Sequence, residues 1–170
     1  MNESELNAIK IIFLLGFTVH NLEEAIWLPK WSKYAKKFHE PVEANQFVFA
    51  VIIVTIMGYI LTALDIMIGN FGSIVNYFYL GFVGMMGINS IFPHLLSTIV
   101  LKKYAPGLIT ALFLNLPFSL ILIIEHIKNG INVFCLVLAI TLMSGLVLFS
   151  LKYLFIIGRL LIDSSDQRAT

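Results

Sequence analysis

Three ionisable side chains stand close together in an otherwise apolar stretch near the start of the chain, FTVHNLEEAIW. His20, Glu23 and Glu24 have the spacing i, i+3 and i+4, which places all three on one face of a helix. A further histidine, His94, follows Asn89 in the stretch GINSIFPHLLST. Imidazole and carboxylate groups that meet away from water suit two kinds of chemistry, metal binding and acid–base proton transfer.

The metal-binding interpretation assigns His20, Glu23, Glu24 and His94 as ligands of Zn²⁺ or Fe²⁺, with an open position for water. Glu23 and Glu24 are then also the candidate catalytic groups, and Asn89 would orient the substrate. Without a metal, one buried carboxyl group could hold a proton at neutral pH, with His20 as its partner. A simpler interpretation also stays open, in which both glutamates reach the membrane surface and His20 is a hydrogen-bonded core histidine.

The helices that must position these residues follow from the composition. The 170-residue chain is 59% hydrophobic and only 12% charged, whereas soluble domains carry about 25% charged residues. We therefore expect a single all-α domain, residues 1–170, that is an integral membrane bundle of five transmembrane helices. A net charge of +1 without a long basic tract argues against a nucleic-acid partner. The predicted spans are residues 7–28, 46–68, 76–101, 106–127 and 131–157.

The basic residues predict one orientation for this bundle. They concentrate at or after the ends of the first, third and fifth predicted spans, whereas the other connections contain only Lys128. By the positive-inside rule, the N-terminus is outside and the C-terminus is on the cytoplasmic side of the membrane. The residues that carry this prediction are Lys30, Lys33, Lys36, Lys37, Lys102, Lys103, Lys152, Arg159 and Arg168.

Aromatic residues recur every three or four positions in the first connection, at Trp27, Trp31, Tyr34 and Phe38. This period predicts an interfacial amphipathic helix between the first and second spans, with lysines directed at anionic headgroups. A plain basic loop with a tryptophan belt is the alternative.

Two helix breakers stand beside buried amides, Pro93 after Asn89 and Pro117 after Asn115. Proline removes one backbone donor and displaces a carbonyl group, which opens polar backbone atoms toward a cavity. We expect a cavity that is lined by the first, third and fourth spans and faces the cytoplasm, with Thr110 on its wall. Near the outer face, Asp65, Glu125 and His126 are expected to form a cluster at the membrane surface.

The stretch His20-Asn21-Leu22-Glu23-Glu24 matches the pattern HxxEE, and YAPGLITALFLNLP follows the later Asn89 and His94. With these features the chain resembles the HXXEE domain family of predicted bacterial membrane proteins. The resemblance implies a shared site at His20, Glu23, Glu24, Asn89 and His94, and it implies no particular reaction.

The expected function is that of an intramembrane enzyme, metal-dependent, which acts on a lipid or an apolar small molecule by hydrolysis or a similar polar step. Its partners would be membrane lipid and that substrate, and a homodimer stays open. The alternatives are a metal-free acid/base isomerase, a proton- or ion-coupled transporter and a membrane helper subunit. No internal repeat is visible in the sequence, which mildly favours an enzyme over a transporter.

Overall fold

The structure, a computed structural model, describes residues 1–36 and 41–166, with side chains as far as residue 161. Within these ranges the chain is helical and contains no strand. Five of its helical segments are long and apolar enough to cross a membrane, as predicted, which is the architecture of a multi-pass membrane protein. The segments are α1 (Glu3–Ser32) with a 3₁₀ turn (Lys33–Ala35), α2 (Ala44–Ile68), a third span of α3 (Ile74–Asn89), a π-helical turn (Ser90–Leu95) and α4 (Leu96–Leu101), a fourth span of α5 (Leu108–Thr110), a π-helical turn (Ala111–Asn115) and α6 (Leu116–Lys128), and α7 (Val133–Asp166).

The first helix begins and ends differently from the prediction. It begins at Glu3 because Asn2 and Glu5 form a reciprocal capping box, in which each side chain accepts a hydrogen bond from the other residue's backbone N–H. It does not end at residue 28 but runs through Pro29. The proline removes only one backbone hydrogen bond, and no glycine or turn sequence follows it to end the helix. Trp27, Trp31 and Tyr34 therefore lie on this helix and its 3₁₀ extension and not on a separate interfacial helix. Three of the residues used in the predictions, Lys37, Phe38 and Arg168, lie outside the described residues.

The third and fourth spans are interrupted where the sequence places its helix breakers. In the third span Phe92 has extended backbone angles (φ −125°, ψ 117°) immediately before Pro93. In the fourth span a π-helical turn precedes Pro117, which stands in the first turn of α6. The hydroxyl group of Ser90 lies 3.1 Å from the carbonyl oxygens of both Met86 and Ala111, so it links the two interruptions. π-Helical turns widen a helix locally and are frequent at functional sites.

An aromatic core fills the middle of the bundle. Phe13 and Phe17 of α1 contact Phe82 of α3 edge to face, with ring centroids 5.9 and 5.0 Å apart. Gly58 of α2 allows this contact, because a Cβ atom there would lie 2.6 Å from the Phe17 ring. On the other side of α3, Gly81 packs against the backbone of Ala139 in α7. The core fixes the helices relative to one another and separates the two ends of the bundle.

The described basic residues concentrate at one end, which we call the lysine-rich end. At this end the 3₁₀ turn after α1 contacts the connection between α4 and α5, because Lys103 Nζ lies 3.0 Å from the centroid of the Tyr34 ring. The start of α2 lies at the same end, beside the last part of α7, because a Cβ atom at Gly158 would lie 3.2 Å from Gln46 Cα. The opposite end holds the N-terminus, whose ammonium group pairs with Glu125 at 2.7 Å.

Candidate metal-binding site

His20, Glu24 and His94 meet inside the bundle and form what we call the His–Glu cluster. One potential ligand atom from each of the three lies within 4.8 Å of the others. Glu24 Oε1 lies 3.1 Å from His94 Nε2, and Glu24 Oε2 lies 3.8 Å from His20 Nε2. Both histidines are fully buried, and the Glu24 side chain is 17% exposed. The cluster thus combines two imidazoles and one carboxylate, from α1 and from the interrupted part of the third span.

The orientation of the His20 ring is set by its Nδ1 atom. Nδ1 lies 3.1 Å from the carbonyl oxygen of Gly107 and 3.2 Å from Thr110 Oγ1. Because a carbonyl oxygen only accepts, Nδ1 carries the hydrogen and Nε2 presents a lone pair to the cluster. The Asn89 amide group, which donates toward Nε2 at 3.4 Å, agrees with this tautomer. Metal-binding histidines are commonly held in this way, with one ring nitrogen donating to a backbone carbonyl and the other free to bind.

His94 contributes the second imidazole through the break in the third span. Its ring lies edge to face against that of His20, with centroids 4.9 Å apart. His94 Nε2 lies 3.1 Å from Glu24 Oε1, so the same carboxylate faces both imidazoles. Two imidazoles and a carboxylate that meet in this way can bind one metal ion.

Gly107 closes the cluster from the connection between the third and fourth spans. Its φ of +90° is strained for any residue with a side chain. A Cβ atom there would lie 2.8 Å from Cε1 of both His20 and His94 and 3.1 Å from Glu24 Cγ. The backbone therefore packs directly on all three residues. The sequence reasoning did not single out Gly107, although the Pro106-Gly107 dipeptide is a turn signal that could have identified it.

Glu23 is not among the three residues of the His–Glu cluster in this structure, and the four-ligand set stays a prediction. Its carboxylate accepts hydrogen bonds from Tyr104 Oη and, at 2.7 Å, from Thr110 Oγ1. Glu23 and Glu24 are about 100° apart around the helix, and in this structure only the Glu24 carboxylate is directed at the two histidines. Burial and the hydrogen bond to Glu23 raise the pKa of the Tyr104 phenol, so it stays a donor at neutral pH. Glu23 reaches His20 through Thr110, which the sequence analysis expected on the cavity wall.

Asn115 lies next to the cluster toward the middle of the bundle. A Cβ atom at Gly16, one turn before His20, would lie 3.7 Å from Asn115 Oδ1. The side chain is fully buried, and neither amide atom has a hydrogen-bond partner among the described residues. The amide adds polar character, without a partner in the described part of the chain, one helical turn from His20.

A second buried polar group lies near the opposite end, and we call it the Lys–Asp cluster: Lys10, Asp65, Asn76 and His126. Lys10 Nζ pairs with Asp65 Oδ2 at 2.7 Å, and Asn76 donates to Asp65 Oδ1 at 3.0 Å. The expectation of a surface cluster at Asp65, Glu125 and His126 is wrong for two of its members, because Asp65 and His126 are each only 2% exposed. They are buried because Lys10, which the sequence analysis overlooked, neutralises Asp65 inside the bundle.

Comparisons with known proteins agree with the motif. The family described as "Protein of unknown function with HXXEE motif" matches residues 11–122, a range that contains all three members of the His–Glu cluster. The chain is also 43% identical over 147 residues to the "Uncharacterized protein YrkK" of Bacillus subtilis (strain 168), which covers 86% of this chain and 92% of that protein. No solved structure matches the chain. On the family match and the similarity to YrkK, the chain belongs to the HXXEE family.

Proposed function

We propose that the protein is a metal-dependent intramembrane enzyme that acts on a lipid or an apolar small molecule by hydrolysis or a similar polar reaction. One observation carries the proposal: His20, Glu24 and His94 offer ligand atoms within 4.8 Å of one another. The two-histidine, one-glutamate donor set is found in catalytic zinc sites, where a fourth position stays open. Zn²⁺ and Fe²⁺ are the expected ions, since both accept imidazole and carboxylate ligands.

The donor set fits such an ion in charge and in orientation. The Glu24 carboxylate offsets part of the charge of a divalent cation, and the His20 tautomer leaves Nε2 available. A bound ion would lower the pKa of a bound water and polarise an oxygen of the substrate. The residues of this chain would supply proton transfer and substrate orientation. Glu23, which is linked to His20 by two hydrogen bonds through Thr110, is positioned to exchange protons. The Asn89 amide is positioned to orient a substrate oxygen.

We further propose that the protein resides in the bacterial cytoplasmic membrane with the lysine-rich end in the cytoplasm, N-terminus out and C-terminus in. Trp27 and Tyr34 are more than half exposed near that end, as expected of residues at the membrane surface. Fusion of a fluorescent protein or of alkaline phosphatase to the C-terminus tests the orientation. Fluorescence without phosphatase activity is expected, and the reverse result would refute it.

Elemental analysis of detergent-purified protein tests the metal site. We expect about one Zn or Fe per chain in the wild type, and its loss in both His20→Ala and Glu24→Gln. His126→Ala is the matched control, because His126 is also a buried histidine of a membrane span but lies in the Lys–Asp cluster. Folded wild-type protein without metal after supplementation with Zn²⁺ or Fe²⁺ would exclude the metalloenzyme and leave metal-free acid/base chemistry at Glu24 and the histidines.

A proton- or ion-coupled transporter is the second candidate, favoured by one feature of the helices. The third and fourth spans are both interrupted beside the cluster, at Phe92 and at residues 111–115. Transporters use broken helices of this kind at their binding sites. Ion or proton flux into proteoliposomes that is abolished by Glu24→Gln would support transport. A helper subunit, in contrast, would keep its biological role in the same variant.

A further inference from the structure

The His–Glu cluster is covered toward the lysine-rich end by the chain between α4 and α5. The Gly107 backbone packs on both imidazole rings and on Glu24. Tyr104 attaches the same connection to α1 and α5, because its hydroxyl group donates to Glu23 and accepts from the Ile109 N–H at 3.3 Å. Direct access from the cytoplasm would have to displace this connection.

Toward the middle of the bundle the cluster is closed by fully buried residues. Phe17, Ser90 and Asn115 each have an exposed fraction of 0%. Phe17 belongs to the aromatic core, and the Ser90 hydroxyl group lies within hydrogen-bond distance of two carbonyl oxygens. These contacts leave no passage to the cluster from the other end of the bundle in the described part of the chain.

The side of the cluster that carries Asn89 is different. Asn89 lies near the middle of the third span, Ile74–Leu101, and is partly exposed although its amide group reaches His20. Its neighbours on this face are apolar and exposed, Ile88 at 51%, Phe92 at 63% and Leu96 at 46%. The extended backbone at Phe92 interrupts the helix at this point. Asn89 therefore links the buried His20 ring to the lipid-facing surface of the third span, where a polar group without such a partner would be costly.

From this arrangement we propose that the ligand reaches the cluster laterally from the bilayer, between Asn89 and Phe92. This inference rests on the proposed function and specifies its substrate class. The ligand is an amphiphile with a long apolar chain that lies along Ile88, Phe92 and Leu96. Its polar end carries an acceptor oxygen, such as a carbonyl or phosphoryl oxygen, because the Asn89 amide nitrogen has a second N–H besides the one directed at His20.

A second lipid-facing depression offers a contrast and a control. A groove of about 460 Å³ lies between α1 and α2, and its wall includes Asn21, Thr55 and Ile56. Its polar residues satisfy each other, since Asn21 donates to Thr55 at 2.7 Å and Thr55 donates to a backbone carbonyl. None of His20, Glu24 and His94 lines the groove, so we expect any acyl chain in it to be independent of the cluster.

The test uses a metal-binding amphiphile, dodecanohydroxamate, with Co²⁺-loaded protein in bilayer nanodiscs. The photo-crosslinking residue 4-benzoylphenylalanine replaces Phe92 in one variant and Ile56 in another, both exposed positions. Crosslinking at position 92 is expected to be at least tenfold stronger than in the same variant carrying Glu24→Gln. At position 56 the crosslinking should not depend on Glu24.

The outcomes separate the two proposals. The Co²⁺ absorption band, recorded before the amphiphile is added, reports whether the metal site exists, and its absence would overturn both. A normal band with Glu24-independent crosslinking at position 92 would overturn lateral access alone. So would Glu24-dependent crosslinking at position 56, which would assign the route to the groove. Soluble acetohydroxamate should suppress the crosslink at position 92, because it competes for the same metal.

Discussion

The same bundle buries two polar clusters, and they differ in how their charges are balanced. In the Lys–Asp cluster, the Lys10 ammonium group lies 2.7 Å from one oxygen of Asp65, and Asn76 donates a hydrogen bond to the other oxygen. His126 also has a partner, since its Nδ1 donates to the Leu122 carbonyl at 2.7 Å. In the His–Glu cluster, a carboxylate meets two imidazoles and no described lysine or arginine pairs with it. One cluster contains an ammonium group that balances its carboxylate, and the other contains a carboxylate and two imidazoles without a paired lysine or arginine among the described residues.

This difference separates a structural role from a ligand-binding role. In the Lys–Asp cluster the Lys10 ammonium group already offsets the charge of the buried Asp65 carboxylate. Two imidazoles and a carboxylate that face one another lack a positive centre, which a divalent cation would supply. The aromatic core of Phe13, Phe17 and Phe82 lies between the clusters, so changes in one should leave the other largely unaffected. The predictions below use this independence.

The largest effect is expected from Lys10→Met. It would leave the Asp65 carboxylate buried and unpaired, which should lower the free energy of unfolding by about 3–5 kcal/mol. The double variant Lys10→Met/Asp65→Leu should be more stable than Lys10→Met, because no buried charge is left unpaired. It should stay about 1–3 kcal/mol less stable than the wild type, because Asn76 loses its hydrogen-bond partner. Unfolding in mixed detergent micelles with increasing SDS measures both values.

Metal content provides the control for this prediction. The double variant should bind as much Zn²⁺ or Fe²⁺ as the wild type, because the His–Glu cluster is unchanged. Loss of metal in the double variant, with the fold intact, would show that the clusters are coupled and would favour the transporter.

The next effect is stabilisation by the metal itself. A ligand that binds only the folded state at 100 times its dissociation constant raises the free energy of unfolding by about 2.7 kcal/mol. We expect Zn²⁺ to stabilise the wild type and His126→Ala by about this amount, and Glu24→Gln not at all. Equal stabilisation of Glu24→Gln would place the metal elsewhere. Thermal unfolding followed with and without Zn²⁺ gives the comparison.

The sequence was sufficient for the features that depend on local pattern. Apolar runs of membrane length predicted all five segments, because backbone groups in lipid must be paired within helices. The spacing of His20 and Glu24, and the position of His94 in the same half of the bundle, predicted that these three residues could meet. The interruption at Pro93 followed from the loss of one backbone donor.

Features that depend on partners far along the chain could not be predicted in the same way. Lys10 looks like one charge in an apolar run, and only packing brings Asp65, 55 residues later, to its side. Gly107 is one of 11 glycines, and its contact with two imidazoles depends on how the third and fourth spans are connected. Spacing placed Glu23 on the correct face but could not reveal that Thr110 and Tyr104 occupy its carboxylate.

Gly107→Ala should have the third-largest effect. A left-handed backbone costs a residue with a side chain about 1–2 kcal/mol, and here the new methyl group would also collide with both imidazole rings. We expect metal affinity to fall by about tenfold or more, in the range for residues that hold ligands in place. Gly130→Ala is the matched control, since Gly130 has a φ of +86° and nothing within 4 Å of the new atom. It should lose stability alone, and an equal loss of metal affinity in both would refute the packing argument.

The smallest effect is expected from Glu23→Gln, and it sharpens the distinction between two adjacent glutamates. A glutamine can still accept from Thr110 or Tyr104, so the hydrogen-bonded support of His20 should survive in part. The variant should keep about one metal per chain, with an affinity about tenfold weaker, which corresponds to about 1.4 kcal/mol. Glu24→Gln removes a ligand and should lose the metal. Isothermal titration with Zn²⁺ compares the two. If Glu23→Gln loses the metal as completely as Glu24→Gln does, the four-ligand set expected from the sequence is correct, and the Glu23 carboxylate must turn from Thr110 toward the cluster when the metal binds.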